Sequence, residues 1–153
     1  MREILFKAKR KDNGKWVEGY YYKISETTYC FKEDYERKPV PEHHYILQER
    51  MTDWGLPNQM VQIEIDPKTL CQFTGMTDKN GVRIWKNDIV EAWSQGSRAI
   101  GTVKQRVDGL WIMSPAWQNH EFWELKPNSN GETTVEVLVN AFDNPELLQE
   151  EHK

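Results

Sequence analysis

The sequence predicts a mainly β protein built from short antiparallel strands. Apolar and polar residues alternate with a period of two along most of the chain, as in "MVQIEI" at residues 60–65, and this alternation is typical of strands. Asn-Gly and Asp-Gly pairs, which are strong local signals for hairpin turns, separate several of these segments. We therefore expect a single domain over residues 1–153, with candidate sub-lobes at 1–66 and 67–153.

The N-terminal segment has the local features of a β-hairpin. Residues 3–9, "EILFKAK", alternate in polarity, and residues 16–24, "WVEGYYYKI", are rich in the aromatic residues that favour strands. Between them, "KDNGK" supplies Asp, Asn and Gly, which tolerate the backbone angles of a tight turn. We expect two paired strands joined by this turn.

The middle of the chain has weaker patterns. Residues 27–31, "TTYCF", and 44–49, "HYILQE", are predicted as short strands. The segment between them, "KEDYERKPVPEH", is charged and interrupted by prolines, so it is predicted as a loop. A second loop is predicted at "TDWGLPNQ", before the strand at residues 60–65.

The second half continues the pattern of strands and turns to its end, where the pattern changes. The predicted strands are "LCQFTGM", "VRIW", "IVEAW", "RAIGTVKQR", "LWIMSP", "EFWEL" and "TTVEVLVNAF". In the final "DNPELLQEE", Asn144 is a suitable N-cap and Pro145 suits the first helical position. We expect a short C-terminal helix.

Charge and hydropathy exclude some classes of protein. The net charge is −4 with a pI near 5.6, whereas a protein that coats DNA irrespective of sequence is normally basic. The acidity lies in the second half, because residues 1–70 hold 12 basic and 12 acidic residues while 71–153 hold 8 and 12. No segment has the apolar core of a signal peptide or the roughly 20 apolar residues of a membrane span. We expect a cytoplasmic protein that does not associate with membranes.

No pattern in the sequence predicts a catalytic, cofactor or metal site. The two cysteines, Cys30 and Cys71, lack the spacing of a zinc site, and we expect both to be reduced, small buried residues. His43 and His44 are adjacent, so on a strand they would point to opposite faces, and we expect them in a surface loop. Asp78 is the one acid in "DKNG", which excludes a calcium loop. We therefore expect a non-enzymatic protein without a cofactor.

A candidate binding surface lies on the N-terminal hairpin. Aromatic side chains of one parity on the second strand lie beside basic residues of the first, and such a mixture can stack nucleic-acid bases. A stripe of this kind is more often part of a core, because aromatic side chains bury large areas. The residues of this candidate surface are Lys7, Lys9, Arg10, Trp16, Tyr20 and Tyr22.

Three segments resemble the YopX family of phage and prophage proteins. The central stretch "FTGMTDKNGVRIWKNDIV" is similar to the family signature, in which a Thr-Gly pair precedes Asp-Lys-Asn-Gly, an aromatic residue and a turn into a strand. The N-terminal "MREILFKAKRKDNGKWV" and the C-terminal "FDNPELL" also resemble it, with Lys9-Arg10 in place of the usual Trp-Asp. The signature positions are Thr74, Gly75, Asp78, Asn80, Gly81, Trp85, Asp88, Asn144 and Pro145. Asn87 stands where Gly is common, and Asn also tolerates a left-handed backbone.

The resemblance implies a predominantly β protein of uncharacterised function, and it carries no catalytic residues to this chain. Residues 87–115 also resemble a small SH3-like barrel, a fold that binds proteins or nucleic acids. We therefore predict a non-enzymatic phage or prophage accessory protein that binds a macromolecule, with a host protein favoured over nucleic acid. The alternatives are a nucleic-acid-binding protein that uses the N-terminal hairpin, and an enzyme with a dispersed carboxylate or Cys71 site. Exposed strand edges make a homo-oligomer a further expectation.

Overall fold

The computed structural model describes residues 3–94, 96–115 and 122–146. These residues form eleven strands, one α-helix and a short 3-10 helix at Pro67–Thr69. The elements are β1 Phe6–Lys9, β2 Trp16–Ser25, α1 Lys32–Arg37, β3 Glu42–Arg50, β4 Gln59–Glu64, β5 Cys71–Thr77, β6 Arg83–Trp85, β7 Asp88–Ser94, β8 Ser97–Gln105, β9 Trp111–Pro115, β10 Trp123–Glu124 and β11 Glu136–Asn140. The chain divides into an N-terminal unit, Leu5–Leu70, and a C-terminal unit that comprises Met1–Ile4 and Cys71–Lys153.

The N-terminal unit is an antiparallel sheet in the order β4-β3-β2-β1. The register pairs Lys9 with Trp16 between β1 and β2, and Tyr22 with Tyr45 between β2 and β3. One face of the sheet carries the buried apolar residues of this unit, because successive side chains on a strand point to opposite faces. This core consists of Ala8, Val17, Ile46, Ile63 and Ile65, with Phe6, Tyr21, Val61 and Leu70 packed against it.

The two outer strands of this sheet approach each other at one end. Arg10, just after β1, forms an isolated antiparallel bridge with Ile65, just after β4. Two backbone hydrogen bonds accompany it, from Lys11 N–H to Glu64 O at 3.1 Å and from Asp66 N–H to Lys9 O at 2.9 Å. The contact is an isolated bridge, and it does not close the sheet into a barrel.

The C-terminal unit combines the β5–β6 hairpin with an antiparallel sheet in the order β10-β9-β8-β7-β11. Its inner face carries small residues on β7 and β8, where Val90 pairs with Gly101 and Ala92 pairs with Ala99. The buried core of this unit contains Met76, Ile84, Val90, Ala92, Ala99, Val103, Trp111, Met113, Leu125 and Val135. The barrel predicted for the second half is wrong, because β10 and β11 are the two ends of this sheet and do not pair with each other in the described part of the chain.

The signature residues hold the backbone of this unit in place. Asp78 is 2% exposed, and its carboxylate accepts hydrogen bonds from the N–H groups of Asn80 at 2.8 Å, Val82 at 2.9 Å and Val137 at 3.0 Å. Asp88 is equally buried and accepts from Trp85 N–H at 2.8 Å. Each carboxylate therefore stabilises a turn by accepting hydrogen bonds from backbone N–H groups.

The predicted turn before β7 forms on Asn87. Asn87 has a φ of 72° and is the one residue other than Gly with a positive φ in the described ranges. Its carbonyl accepts from Ala141 N–H at 2.8 Å, and its own N–H donates to Val103 O at 2.9 Å. Asparagine therefore supplies the left-handed backbone that this turn requires.

Several local predictions for the first half are wrong. Residues 27–31 are not a strand, because Thr27–Cys30 have no ladder partner and Phe31 is the N-cap residue of α1. Residues 32–37 form α1 in place of the predicted loop, with acidic residues in its first turn and Arg37 in its last, which suits the helix dipole. His43 and His44 belong to β3 and not to a surface loop.

The predicted C-terminal helix falls mostly outside the described residues. Asn144 N–H donates to Asn140 O at 3.1 Å, and the Asn144 side chain donates to Glu146 at 3.1 Å. Glu146 is the last residue that the structure describes, and it has helical backbone. Across the described residues, no helix has both the length and the apolar character that crossing a membrane requires.

Candidate functional site

Half of the predicted N-terminal surface forms a compact cluster on the outer face of the first sheet. The ammonium groups of Lys7 and Lys9 lie 4.8 and 5.4 Å from the centre of the Trp16 ring. Lys7 also lies directly opposite Glu18 in the register of β1 and β2. Both lysines are therefore engaged by the Trp16 ring.

The remaining aromatic residues extend this face across β2 and β3. Tyr22 stacks on Tyr45 with ring centres 5.3 Å apart, and His43 lies 6.4 Å from Tyr45. Tyr20 is 56% exposed on the same side. Arg10 has the opposite parity and instead binds Asp12, with a shortest distance of 2.8 Å. The structure thus unites all the predicted surface residues except Arg10.

His43 joins this face to two carboxylates. Its Nε2 lies 3.0 Å from Glu26 and its Nδ1 lies 3.0 Å from Glu64. Both acids raise the pKa of His43 above its ordinary value, the Glu26 hydrogen bond having the larger effect. The same contact with His43 lowers the pKa of Glu64. Both ring nitrogens face acceptors, so the arrangement favours the protonated imidazole.

A larger cavity lies in the C-terminal unit, beside the signature hairpin. It is a cleft of about 760 Å³, within the range typical of small-molecule and side-chain sites. Its walls come from β5, the turn between β8 and β9, and the turn before β11. The residues that line it are Glu3, Phe73, Thr74, Gly75, Met76, Thr77, Arg83, Gly109, Leu110, Trp111, Leu125, Pro127, Asn128, Ser129, Asn130 and Gly131.

One wall of the cleft is a bulge in β5. Phe73 pairs with Trp85 and Thr77 with Arg83, so three residues of β5 lie opposite one residue of β6. Thr74 Oγ1 stabilises the bulge, because it donates to Ile84 O at 2.7 Å and accepts from Met76 N–H at 3.1 Å. The Thr-Gly pair therefore lies in a bulge that lines the cleft, and bulges often occur beside binding sites.

Arg83 and Phe73 form the part of the cleft next to the bulge, where the guanidinium lies over the aromatic ring. The guanidinium carbon of Arg83 lies 5.3 Å from the centre of the Phe73 ring, and Trp85 packs 5.2 Å from the same ring. Arg83 also lies 3.9 Å from the Glu3 carboxylate, and both side chains are largely exposed. Glu3 and Arg83 are the two charged side chains among the described residues that line the cleft.

Trp111 contributes an unpaired donor. It is 4% exposed, and its Nε1–H has no hydrogen-bond acceptor within the described part of the chain. A buried donor without an acceptor costs about 1–3 kcal/mol. This donor is enclosed by the protein, so it is a local cost of the fold at this position.

The rim of the cleft is a turn with a close counterpart elsewhere in the same unit. Asn130 N–H donates to the Asn128 side chain at 2.9 Å and precedes Gly131, which has a φ of 82°. Asn80 N–H donates to the Asp78 side chain at 2.8 Å and precedes Gly81, which has a φ of 81°. The two turns match in backbone geometry, but the residues of the second do not line the cleft.

The remaining candidate groups do not come together. Cys71 is fully buried, as predicted, and Asn87 lies 3.9 Å from its sulfur, whereas Cys30 is exposed, against the prediction. Neither cysteine forms a disulfide in the described part of the chain. Among the residues that the structure describes, no three His, Cys, Asp or Glu side chains are placed to hold a metal ion.

Sequence patterns did not indicate Phe73, Arg83 and Trp111 as neighbours. Trp111 lies more than 25 residues from Arg83, and nothing in the spacing of these residues predicts that they line the same cleft. One signal was available, because a Gly inside a strand pattern often marks a bulge. The Thr74-Gly75 pair could therefore have located one wall of the cleft.

Comparison with known proteins identifies the family of the chain. The family model described as "YopX protein" matches residues 5–149, nearly the whole chain. The protein therefore belongs to the YopX family, as the three signature segments predicted. No curated protein is similar to it at a significant level.

One solved structure is similar along the full length of the chain. The crystal structure of protein EF1440 from Enterococcus faecalis has 16% sequence identity and a TM-score of 0.44. The likeness covers 97% of this chain and 99% of that chain.

Proposed function

We propose that the protein is a non-enzymatic binding module that holds a segment of another protein in the cleft of its C-terminal unit. The observation that carries this proposal is the cleft of about 760 Å³, whose described lining is largely apolar, small or uncharged.

A protein partner suits the cleft better than a nucleic acid. The described lining has one cation, Arg83, and one anion, Glu3, which provides no track for a chain of phosphates. The other lining residues are apolar, small or uncharged, as in pockets that accept side chains of a partner. The resemblance to phage and prophage proteins supports a host protein as the partner and the bacterial cytoplasm as the place of action.

The proposal is tested by filling the cleft from its rim. Asn130→Trp places a large ring at the cleft, and Asn80→Trp places the same ring in the matched turn outside it. We expect wild type and Asn80→Trp to capture the same protein saturably from nuclease-treated bacterial lysate, and Asn130→Trp to lose it. Capture that is equal for all three variants, or that saturates for none, would contradict the proposal.

The second candidate function is nucleic-acid binding by the N-terminal face. The exposed Tyr20 and the Tyr22–Tyr45 stack favour it, because aromatic side chains can stack on bases. The engagement of Lys7 and Lys9 by Trp16 argues against it. This function predicts a gel shift with single-stranded nucleic acid that weakens with salt and after Lys9→Glu or Tyr20→Ala. A complete lack of shift at low salt would exclude it.

A further inference from the structure

We propose that the open edge of β4 binds an extended acidic segment of another protein as an added antiparallel strand. The residues of this second site all belong to the N-terminal unit, and none of them lines the cleft of the proposed function. An added strand gains main-chain hydrogen bonds from the edge of the sheet, while its alternate side chains provide specificity.

The open edge presents unpaired backbone groups. β4 is the last strand of its sheet, so one side of it has no strand partner in the described ranges. Ile65 N–H donates to His44 O at 3.0 Å, and Ile63, two positions earlier, therefore also faces β3. The backbone of Met60 and Gln62 points the other way, and each of these residues offers one donor and one acceptor to an incoming strand.

The edge lacks the usual protection against pairing. Natural proteins protect an exposed edge with a charge, a proline or a bulge. Residues 59–63, "QMVQI", contain no charged residue and no proline, and their register with β3 is regular. One end of β4 is covered, because Lys11 N–H donates to Glu64 O at 3.1 Å. After Lys11 the chain turns into the hairpin, which leaves the place beside Gln62 open within the described part of the chain.

A groove of about 360 Å³ lies at this edge and carries more positive than negative charge. Arg10 binds Asp12, and Lys11 lies 3.8 Å from Glu64. Arg50 forms no ion pair with another residue in the ranges that the structure describes, so its guanidinium is available to an anion. The residues that line this edge groove are Arg10, Lys11, Asp12, Arg50, Val61, Gln62, Ile63 and Glu64.

The register determines which side chains of an added strand would face Arg50. Arg50 pairs with Gln59, so it shares a face with Val61 and Ile63, and Ile63 belongs to the buried core of this unit. In an antiparallel strand added to this edge, side chains on that face belong to residues whose N–H groups point away from β4. Acidic residues at alternate positions of the partner would therefore meet Arg50 without interrupting the new ladder.

A second copy of the chain is a poorer occupant of the edge. The one acid on its own β4 is Glu64, and this carboxylate already lies 3.0 Å from His43 and 3.8 Å from Lys11. Pairing between two copies would therefore bring Arg50 no acid that is without a partner. The charge of the edge groove favours a segment of a different sequence.

The first test compares two fluorescein-labelled peptides that differ in charge. One is Thr-Glu-Val-Glu-Val-Glu-Thr, and the other has Lys in place of each Glu. Binding to the full-length protein is followed by fluorescence anisotropy. We expect the acidic peptide to bind saturably and about tenfold more tightly than the basic one, since charge-assisted hydrogen bonds are the stronger ones. Equal binding of both peptides, or saturation by neither, would overturn the proposal.

The second test examines main-chain pairing by methylation of the acidic peptide. Methyl groups on the two Val nitrogens remove the N–H groups that face β4 in an antiparallel strand, whereas methyl groups on the first two Glu nitrogens remove groups that face away. We expect the first change to weaken binding at least about tenfold and the second by about twofold or less. Equal losses from the two changes would show that the peptide does not bind as an added strand.

The third test changes the charge of the edge groove. Arg50→Glu should weaken the acidic peptide at least about tenfold, because it places a like charge beside the glutamates. The matched control is Arg37→Glu, which changes the net charge equally but lies on α1 and does not line the groove. Equal losses in both variants would reduce the effect to overall charge and overturn the assignment. Asn130→Trp should leave this affinity unchanged, so the present inference and the proposed function can fail separately.

A last variant distinguishes a peptide from a second copy. Gln62→Pro removes an N–H that faces away from β3, so it should weaken the acidic peptide while the ladder to β3 stays intact. We expect the wild type and Gln62→Pro to sediment equally. A wild-type dimer that Gln62→Pro abolishes would assign the edge to pairing between copies and overturn the proposal. Melting curves show whether each variant is folded, and the methylated peptides test the edge on the wild-type protein in any case.

Discussion

At the scale of single residues, the signature acids Asp78 and Asp88 accept hydrogen bonds from the backbone of turns. Asp78 accepts three backbone N–H bonds, two from its own turn and one from Val137 near the start of β11. A buried carboxylate is costly unless hydrogen bonds satisfy it, and this one is satisfied by backbone groups that would otherwise need partners. The hairpin therefore depends on this signature residue for its backbone hydrogen bonds.

Replacement of Asp78 by Ala should strongly destabilise the protein. The change leaves the N–H groups of Asn80, Val82 and Val137 without their acceptor, and we expect a loss of about 3 kcal/mol or more in the free energy of unfolding. Urea denaturation followed by tryptophan fluorescence measures it. The control is Asp108→Ala, which removes an exposed turn acceptor of Leu110 N–H. A loss below about 1 kcal/mol for Asp78→Ala would contradict the role given to this carboxylate.

At the scale of elements, His43 connects three strands of the N-terminal sheet. It lies on β3, while Glu64 ends β4 and Glu26 directly follows β2. The acids raise the pKa of His43, so its contribution to stability is complete below its ordinary pKa of 6.5 and is lost as pH rises through the raised value. The lowered pKa of Glu64 acts in the other direction, and its contribution is present above its ordinary pKa of 4.5 and lost as pH falls through the lowered value.

His43→Gln should therefore reduce stability in a window of pH. The difference in melting temperature between wild type and the variant should be largest between pH 4.5 and 6.5 and should shrink on both sides of that window. Thermal melts at intervals of half a pH unit measure it. His44→Gln is the control, because His44 contacts the Tyr21 hydroxyl at 2.7 Å instead of two acids. A difference that does not vary with pH would exclude the ionic role of His43.

At the scale of the whole molecule, two separate apolar clusters stabilise the chain. Ile46 is fully buried in the cluster of the N-terminal unit, and Val103 is fully buried in that of the C-terminal unit. Each cluster is assembled from strands of its own unit. A cavity in one cluster should therefore affect that unit first.

Ile46→Ala and Val103→Ala should give opposite patterns of hydrogen exchange. Ile46→Ala should cost about 2–5 kcal/mol and raise amide exchange mainly within Leu5–Leu70. Val103→Ala should raise exchange mainly within the C-terminal unit, by a smaller amount, because it removes fewer methyl groups. Exchange with mass-spectrometric readout resolves the segments. Equal acceleration in both units by each variant would show that the two clusters do not act separately.

Most strands were predictable from the sequence because their signal is local. Alternation located β3, β4, β8 and β9 to within a few residues, and the Asn-Gly turn located the β5–β6 hairpin. The short helix α1 was missed, because six residues are too few to show a 3.6-residue period and the following prolines suggested a loop. The barrel was predicted wrongly, since closure depends on which distant strands become neighbours.

The sequence by itself determined the family, the mainly β class and the positions of the tight turns, because each depends on residues that are close in the chain. The tertiary structure alone decided that β11 pairs with β7, that the second sheet stays open, and that Phe73, Arg83 and Trp111 line one cleft. These are long-range contacts, whose free energy comes from burial and pairing between segments, and no local pattern of residue types encodes such a choice.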